Sequence, residues 1–218
     1  MTERTYTSAI QRLSALPEVF TGSELTVLFG WKSSIASSYL AHWRKAGLVK
    51  SLGGRSDVHM NLIRNSQVSP ELALRRAFPA AVKVGVDILR AAGWTTQIPT
   101  QPEVAVPATR SLHAVNGFEL TTRTEKWLQT VKPGLQQVAD GIDRLRPAWA
   151  LADMLARARD RRVKHAWLPD PEDLDLDSVR QSSDLARALP AFALAPDCLD
   201  DPGYVSIYDK YRRGAAPR

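Results

Sequence analysis

The sequence predicts an α+β fold, helix-rich and in two parts: a small N-terminal domain and a larger mixed α/β domain. Three observations lead there. Apolar residues recur at helical spacing across residues 31 to 46. Two short alternating runs, LVKSL and DVHMNLI, flank the glycine pair at residues 53 and 54. Beyond residue 70, helix-like and strand-like segments mix without the regular alternation of a parallel α/β protein.

The elements follow in order. Residues 5 to 16 (TYTSAIQRLSAL) have the spacing of a first helix, ended by Pro17. Thr21 followed by Glu24 is a capping-box spacing, so a second helix is expected to begin near Gly22, and Gly30 stops it. The third helix, WKSSIASSYLAHWRKA, ends at Gly47, a residue that suits a left-handed cap. The hairpin comes next, with GGR at its tip. Helix, helix, turn, helix, hairpin is the order of a winged helix-turn-helix. It is expected to occupy residues 1–64, with 65–70 as a linker within RNSQVSP.

Residues 71–218 are expected to form the mixed domain. LALRRAF and AAVKVGVDILRAAG read as two helices broken by Pro79. TTQIP, EVAVP and GFELTTR read as strands, the first two interrupted by prolines. RTEKWLQTV and RPAWALADMLARARDRR read as helices, the latter with Pro147 in its first turn, where proline is tolerated. DSVRQSSDLARAL reads as a last helix, capped by Asp177, followed by a loose polar tail.

Composition narrows the function classes. At 44% hydrophobic the chain is globular. One cysteine, Cys198, excludes a disulfide framework and a thiolate zinc site, and points to a reducing cytoplasm. The N-terminus lacks a basic-then-apolar signal pattern, and no apolar run reaches the roughly 18 residues of a membrane span. The net charge is +6. Residues 1–64 hold eight Lys/Arg against four Asp/Glu, and the remaining 154 hold 21 against 19. Most of the excess therefore lies beside the third helix, as a polyanion-binding domain would have it.

On a helical wheel, Ala36, Leu40 and Trp43 form one side of the third helix, with Ile35 and Tyr39 at its edge. Ser34, Ser37, Ser38, Ala41 and Lys45 form the other. A small, hydroxylated face lets the helix backbone approach a surface closely, and the major groove of B-DNA, about 12 Å wide, admits a helix. The helix-turn-helix mode places its N-terminal residues against bases, here Ser33, Ser34, Ser37 and Ser38, with Lys32 just before them as a further DNA contact. His42, Arg44 and Lys45 follow where phosphates pass. Lys50 in the hairpin is a further phosphate ligand, and Arg55 at its tip is placed for the minor groove or the backbone. Lys32 stands where many such motifs carry a Ser or Thr cap, which leaves Ser33 as the alternative cap. One small winged helix reads few bases, so two copies on an inverted repeat are expected, as a homodimer or cooperatively.

These segments carry a family resemblance. GSELTVLFGWKSSIASSYLAHWRKAGLV, then ALRRAFPAAVKVGVDILRAAGW, TRTEKWLQTV and RPAWALADMLAR together resemble the AbiEi family, the antitoxin halves of bacterial type IV toxin–antitoxin systems. The resemblance spans roughly residues 5 to 170. Its winged-helix part is generic, and ALADML, similar to the family's "ALxDLL"-like helix, carries most of it. It implies a bifunctional protein. The winged helix binds inverted repeats in promoter DNA and represses the operon, while the C-terminal domain neutralises a nucleotidyltransferase-type toxin. No residue transfers for the antitoxin role. Without a toxin partner, the same architecture is that of a winged-helix regulator with a ligand-sensing or dimerisation domain.

Other constellations carry less. Asp173, Asp175 and Asp177 in DLDLD alternate as metal-dependent nucleotidyl transfer requires, but no Gly-Ser element precedes them to hold a triphosphate. RARDRRVKH is the densest positive run. Arg157, Arg159, Arg161, Arg162 and Lys164 there form a candidate patch for DNA or an acidic partner, or a solvated helix end. The four histidines lack metal-ligand spacing, and no phosphate-loop, Rossmann or nucleophile-elbow pattern occurs. No catalytic residue, metal or cofactor is expected. Of the six tryptophans, Trp167 stands in a loop as a candidate exposed anchor.

Overall fold

Residues 8–53, 55–108, 114–160 and 167–215 are described by a computed structural model. By internal contacts they fall into two units, one within 1–80, 113–117 and 139–142, the other within 81–112, 118–138 and 143–218. The fold is α+β.

The first unit opens with α1 (Ala9–Ser14), capped by a Ser8–Gln11 capping box. Strand β1 (Val19–Thr21) leads into α2 (Gly22–Phe29), whose N-terminus carries the expected Thr21–Glu24 capping box. Gly30, at φ 64°, ends it. Helix α3 (Ser33–Lys45) buries Ala36, Leu40 and Trp43. It closes in a Schellman turn: the Leu48 N–H donates to the Trp43 carbonyl (3.0 Å) and the Gly47 N–H to that of Arg44 (3.1 Å). Gly47 sits at φ +70°, a left-handed position that glycine adopts without a Cβ penalty. Strands β2 (Val49–Ser51) and β3 (Val58–Asn61) form the wing, and β1 adds to its other edge, giving the antiparallel order β1-β3-β2. Leu13, Leu16, Phe20, Leu25, Leu40, Trp43 and Val49 share one core.

Asn61 fastens this unit. It is fully buried, its Nδ2 donating to the carbonyls of Leu13 (2.7 Å) and Pro17 (3.3 Å), while its Oδ1 accepts from the Ile63 N–H (3.2 Å). One amide thus pairs the end of α1 with the end of the wing, where backbone groups would otherwise be orphaned. The sequence places the domain boundary at 64–70, but the first unit continues to Ala80. Helix α4 (Pro70–Ala77) packs against β3 and β1, burying Ala73 and Leu74.

The second unit centres on a five-stranded sheet of order β6-β5-β4-β8-β7: β4 (Val82–Val84), β5 (Glu103–Pro107), β6 (Glu119–Arg123), β7 (Leu135–Gln136) and β8 (Asp143–Leu145). The pairs β4–β8 and β5–β6 are parallel, the others antiparallel. Helix α5 (Val86–Ala91) follows β4, and α6 (Glu125–Val131), capped by Thr124, follows β6. Helix α7 (Pro147–Arg159) is the axis of the unit. Every residue from Ala148 to Leu155 is buried, as a helix apolar on nearly all sides requires. Helices α8 (Leu176–Arg180), α9 (Leu185–Ala191) and α10 (Asp201–Ala215) complete it.

Four expectations for this region are corrected. AAVKVGVDILRAAG is a strand and a helix. The β-branched alternation of Val82 and Val84 pairs in the sheet, and Gly85 (φ 80°, ψ −165°) turns the chain into α5. TTQIP forms no strand beyond a single bridge from Thr95 to Leu174. DSVRQSSDLARAL breaks into α8 and α9 around its serines, and Asp175, not Asp177, caps α8 by accepting from the Ser178 N–H. The tail is a helix through Ala215. Tyr204 is fully buried with its hydroxyl donating to the Pro169 carbonyl (2.9 Å), and Ile207, Tyr208 and Tyr211 continue the same stripe.

Gly85 has a measurable consequence. Its backbone lies in a region that L side chains rarely enter, and an added Cβ would stand 2.9 Å from Glu103 Oε2. Gly85→Ala is expected to cost about 1–3 kcal/mol, read as a lower midpoint in chemical denaturation.

Candidate nucleic-acid interface

The expected contact residues lie on α3 and the wing, and all of them are exposed: Lys32, Ser33, Ser34, Ser37, Ser38, His42, Arg44, Lys45, Lys50 and Arg55. The buried positions Ala36, Leu40 and Trp43 fix the roll of α3 and so choose which residues face outward. Ser34, Ser38, Ala41 and Lys45 then run down one outer line of the helix, with Ser37 and Arg44 to one side and Ile35 and His42 to the other. Ile35 is 43% exposed, an apolar side chain at the rim of an otherwise polar face.

The serines are not equivalent. Ser38 Oγ donates to the Ser34 carbonyl (3.0 Å), so its proton is committed to its own helix and the hydroxyl is left as an acceptor. Lys32 occupies the N-cap position with no side-chain cap, and Ser33 is the first residue inside the helix. Ser33 is therefore not the cap, and the first N–H groups of α3 have no capping side chain. A helix N-terminus in that condition suits a phosphate oxygen. At the other end, His42, Arg44 and Lys45 occupy the last turn.

The scaffold behind this face is held by groups the sequence reading passed over. Asp57, just before β3, reaches the N-terminus of α2: its Oδ2 accepts from the Ser23 N–H (3.0 Å) and its carbonyl from the Gly22 N–H (3.0 Å). An Asp before a strand reads as turn chemistry, so no local signal marks this long-range cap. Arg12 lies over the stacked rings of Trp31 and Tyr39, 5.3 and 4.8 Å from their centroids, and ties α1 to the entry and middle of α3. Arg76 of α4 pairs with Glu24 of α2 at 2.7 Å.

The second candidate patch is partly withdrawn. Arg157 does not face solvent. Its side chain is 10% exposed and binds Glu103 Oε1 of β5 at 2.5 Å. Arg123 of β6 reaches the same oxygen (3.3 Å) and also Asp153 Oδ2 of α7 (3.4 Å), while Trp127 Nε1 donates to Asp153 Oδ1 (2.6 Å). Burial pushes the Asp153 carboxyl above the usual carboxylate range, against the pull of Arg123 and Trp127. Arg159 is exposed at the end of α7, and Arg161, Arg162 and Lys164 lie outside the described residues.

The remaining constellations resolve locally. Asp173 Oδ2 accepts from Gln97 Nε2 (2.6 Å), Asp175 caps α8, and Asp177 pairs with Arg180 at 3.2 Å. Among the described residues no group of His, Cys, Asp and Glu is arranged to hold a metal, and no helix is long and apolar enough to cross a membrane. Trp43 and Trp149 are buried in the cores, whereas Trp167 is 39% exposed in a loop.

No family model matches the sequence, and no curated protein matches it either. Among solved structures the chain is similar to the RV2827C protein from Mycobacterium tuberculosis, with a TM-score of 0.53 and 17% identity over 93% of this chain and 78% of that one. At that identity the likeness establishes the α+β fold and nothing of what the chain binds.

Proposed function

We propose that this protein binds double-stranded DNA through its winged helix-turn-helix and serves as the antitoxin of a type IV toxin–antitoxin system of the AbiEi kind. In this reading it represses its own operon and neutralises a nucleotidyltransferase-type toxin. One observation carries the DNA half. Helix α3 presents small hydroxylated residues followed by cations on the side turned away from the core, next to a wing bearing Lys50 and Arg55. The antitoxin half is supported by the resemblance that centres on ALADML (residues 150–155). The proposal gives the chain no catalytic step.

Binding on this reading has a salt-dependent phosphate component from Lys45, Arg44, Lys50 and the open N-terminus of α3, and a base-reading component from the serines. The test joins both halves. A Ser34→Glu, Ser38→Glu, Arg55→Glu triple variant is expected to lose promoter binding in fluorescence anisotropy. It is expected still to rescue growth of cells that express a nucleotidyltransferase-type toxin encoded beside it. Lys45→Glu is expected to weaken binding to all sequences and to lower the salt slope by about one. If the full-length protein rescues no growth, the antitoxin reading fails for that pair while DNA binding stands on its own measurement.

A further inference from the structure

His59 is a buried histidine beneath the candidate interface. It is 5% exposed in the middle of β3, where the sheet register sets it opposite Phe20 of β1 and Ser51 of β2. Its ring packs on Phe20 with centroids 5.6 Å apart. Nδ1 meets no hydrogen-bond partner among the described residues, and Nε2 lies 4.0 Å from Asp57 Oδ1. A buried polar atom left unpaired is a standing cost, and its position beside a carboxylate is where a proton would change the local charge balance.

Two charged groups act on this ring, Asp57 beside it and Arg44 through its charge. Asp57 is the residue that holds the N-terminus of α2 through the Ser23 N–H, and Arg44 belongs to the last turn of α3. The neighbours in register on β1 and β2, Phe20 and Ser51, carry no charge. A proton on His59 would therefore attract Asp57, which is already engaged at α2, and repel Arg44 on α3. Asp57 thus links His59 to the N-terminus of α2, and the charge of Arg44 on α3 acts on the same ring.

We propose that His59 is a proton-sensitive strut of the DNA-binding unit, neutral when the unit is assembled, whose protonation loosens the joint between α2, α3 and the wing and weakens DNA binding. The DNA consequence rests on the reading given above, whereas the effect on the fold does not. Burial, with Arg44, outweighs Asp57 and holds the His59 ring below the ordinary histidine range. The unfolded chain then takes the proton first. Stability is complete above the ordinary histidine value and is lost as pH falls through it toward the lowered folded value.

Three measurements on the full chain test this. In an NMR titration the His59 ring is expected to titrate below the ordinary value of about 6.5, and titration at or above it overturns the proposal. Between about pH 7.5 and about pH 5 the unfolding temperature of the wild type is expected to fall further than that of His59→Phe, which keeps the ring on Phe20 and cannot take a proton. Parallel curves overturn the proposal. His59→Gln serves the same comparison if the phenylalanine variant does not fold. Binding to a short mixed-sequence duplex is expected to weaken on acidification more in the wild type than in the variant, while the exposed His42 is common to both and cancels. An unchanged ratio overturns the DNA consequence. Absence of binding at either pH removes the DNA reading, and the first two measurements still decide the strut.

Discussion

Asp153→Ala is expected to cost about 3–5 kcal/mol, enough to consume a large part of the stability of a unit this size. The aspartate is 2% exposed at the centre of α7. Removing it takes from Arg123, itself 10% exposed, one of the two carboxylates it pairs with among the described residues, and strips Trp127 Nε1 of its acceptor. Glu103 already receives Thr121, Arg123 and Arg157 on one oxygen, so the loss falls on a network that shares this carboxylate. Asp153→Asn is the informative control. It keeps an acceptor for Trp127 and removes the desolvation cost that pushes the Asp153 carboxyl upward. It is expected to cost distinctly less than alanine in urea denaturation. Equal losses from the two variants would show that the carboxylate's charge, and not its role as an acceptor, holds the network. The raised value also fixes a sign. The folded state favours the protonated acid, so this group's contribution to stability declines as pH rises from the ordinary carboxylate range through the folded value, and Asp153→Asn is expected to flatten that part of the curve.

Trp43→Ala is expected to cost a similar amount, about 3–5 kcal/mol, and, on the proposed reading of α3, to abolish DNA binding with it. Trp43 is fully buried on the inner face of α3, and its ring lies 6.2 Å from that of Trp31 and 5.7 Å from that of Tyr39. The cavity opens directly under the helix that carries the outward serines and cations, so α3 loses the packing that sets its roll. Trp43→Phe retains part of the packing and is expected to lose stability while keeping measurable affinity. Circular dichroism melts read together with anisotropy separate the two effects. A Trp43→Ala protein that melts like the wild type would remove the core role assigned to this residue.

The two variants lie on either side of what could be read from the chain. Trp43, Leu40 and Ala36 were legible as the inner side of α3 because helical periodicity is a local property, carried by residues three and four apart. The Thr21–Glu24 capping box and the glycine stops at Gly30 and Gly47 were legible for the same reason, since each acts within a few residues of itself. The outward set from Ser34 to Lys45 follows once the inner side is known.

The network around Asp153 was not legible. ALADML reads as an apolar helix with one polar interruption, and nothing near it announces Arg123 or Glu103, which stand 30 and 50 residues away on neighbouring strands. The run ending in RARDRR reads as a patch for DNA or an acidic partner, or as a solvated helix end, yet the turn of α7 that carries Arg157 faces β5 and leaves its side chain 10% exposed. Strand β4 was concealed within a helix-like segment because three residues between apolar neighbours give no decisive period. The sheet, and not propensity, chose its conformation, by pairing Val82 with β5 and β8 and Val84 with β5.

The sequence by itself determined the order of the three N-terminal helices and the hairpin, though not the strand β1 between α1 and α2, and with it the inner and outer sides of α3 and the concentration of positive charge beside it. These depend on spacing, capping and composition, which are properties of short stretches. Only the tertiary structure decided that Asp57 caps α2 from the wing, that Asn61 joins α1 to β3, that His59 is buried beside Asp57, and that Arg157 pairs with Glu103 instead of facing solvent. The caps and pairs made by Asp57, Asn61 and Arg157 close over tens of residues, and burial fixes their partners only once the strands and helices have packed.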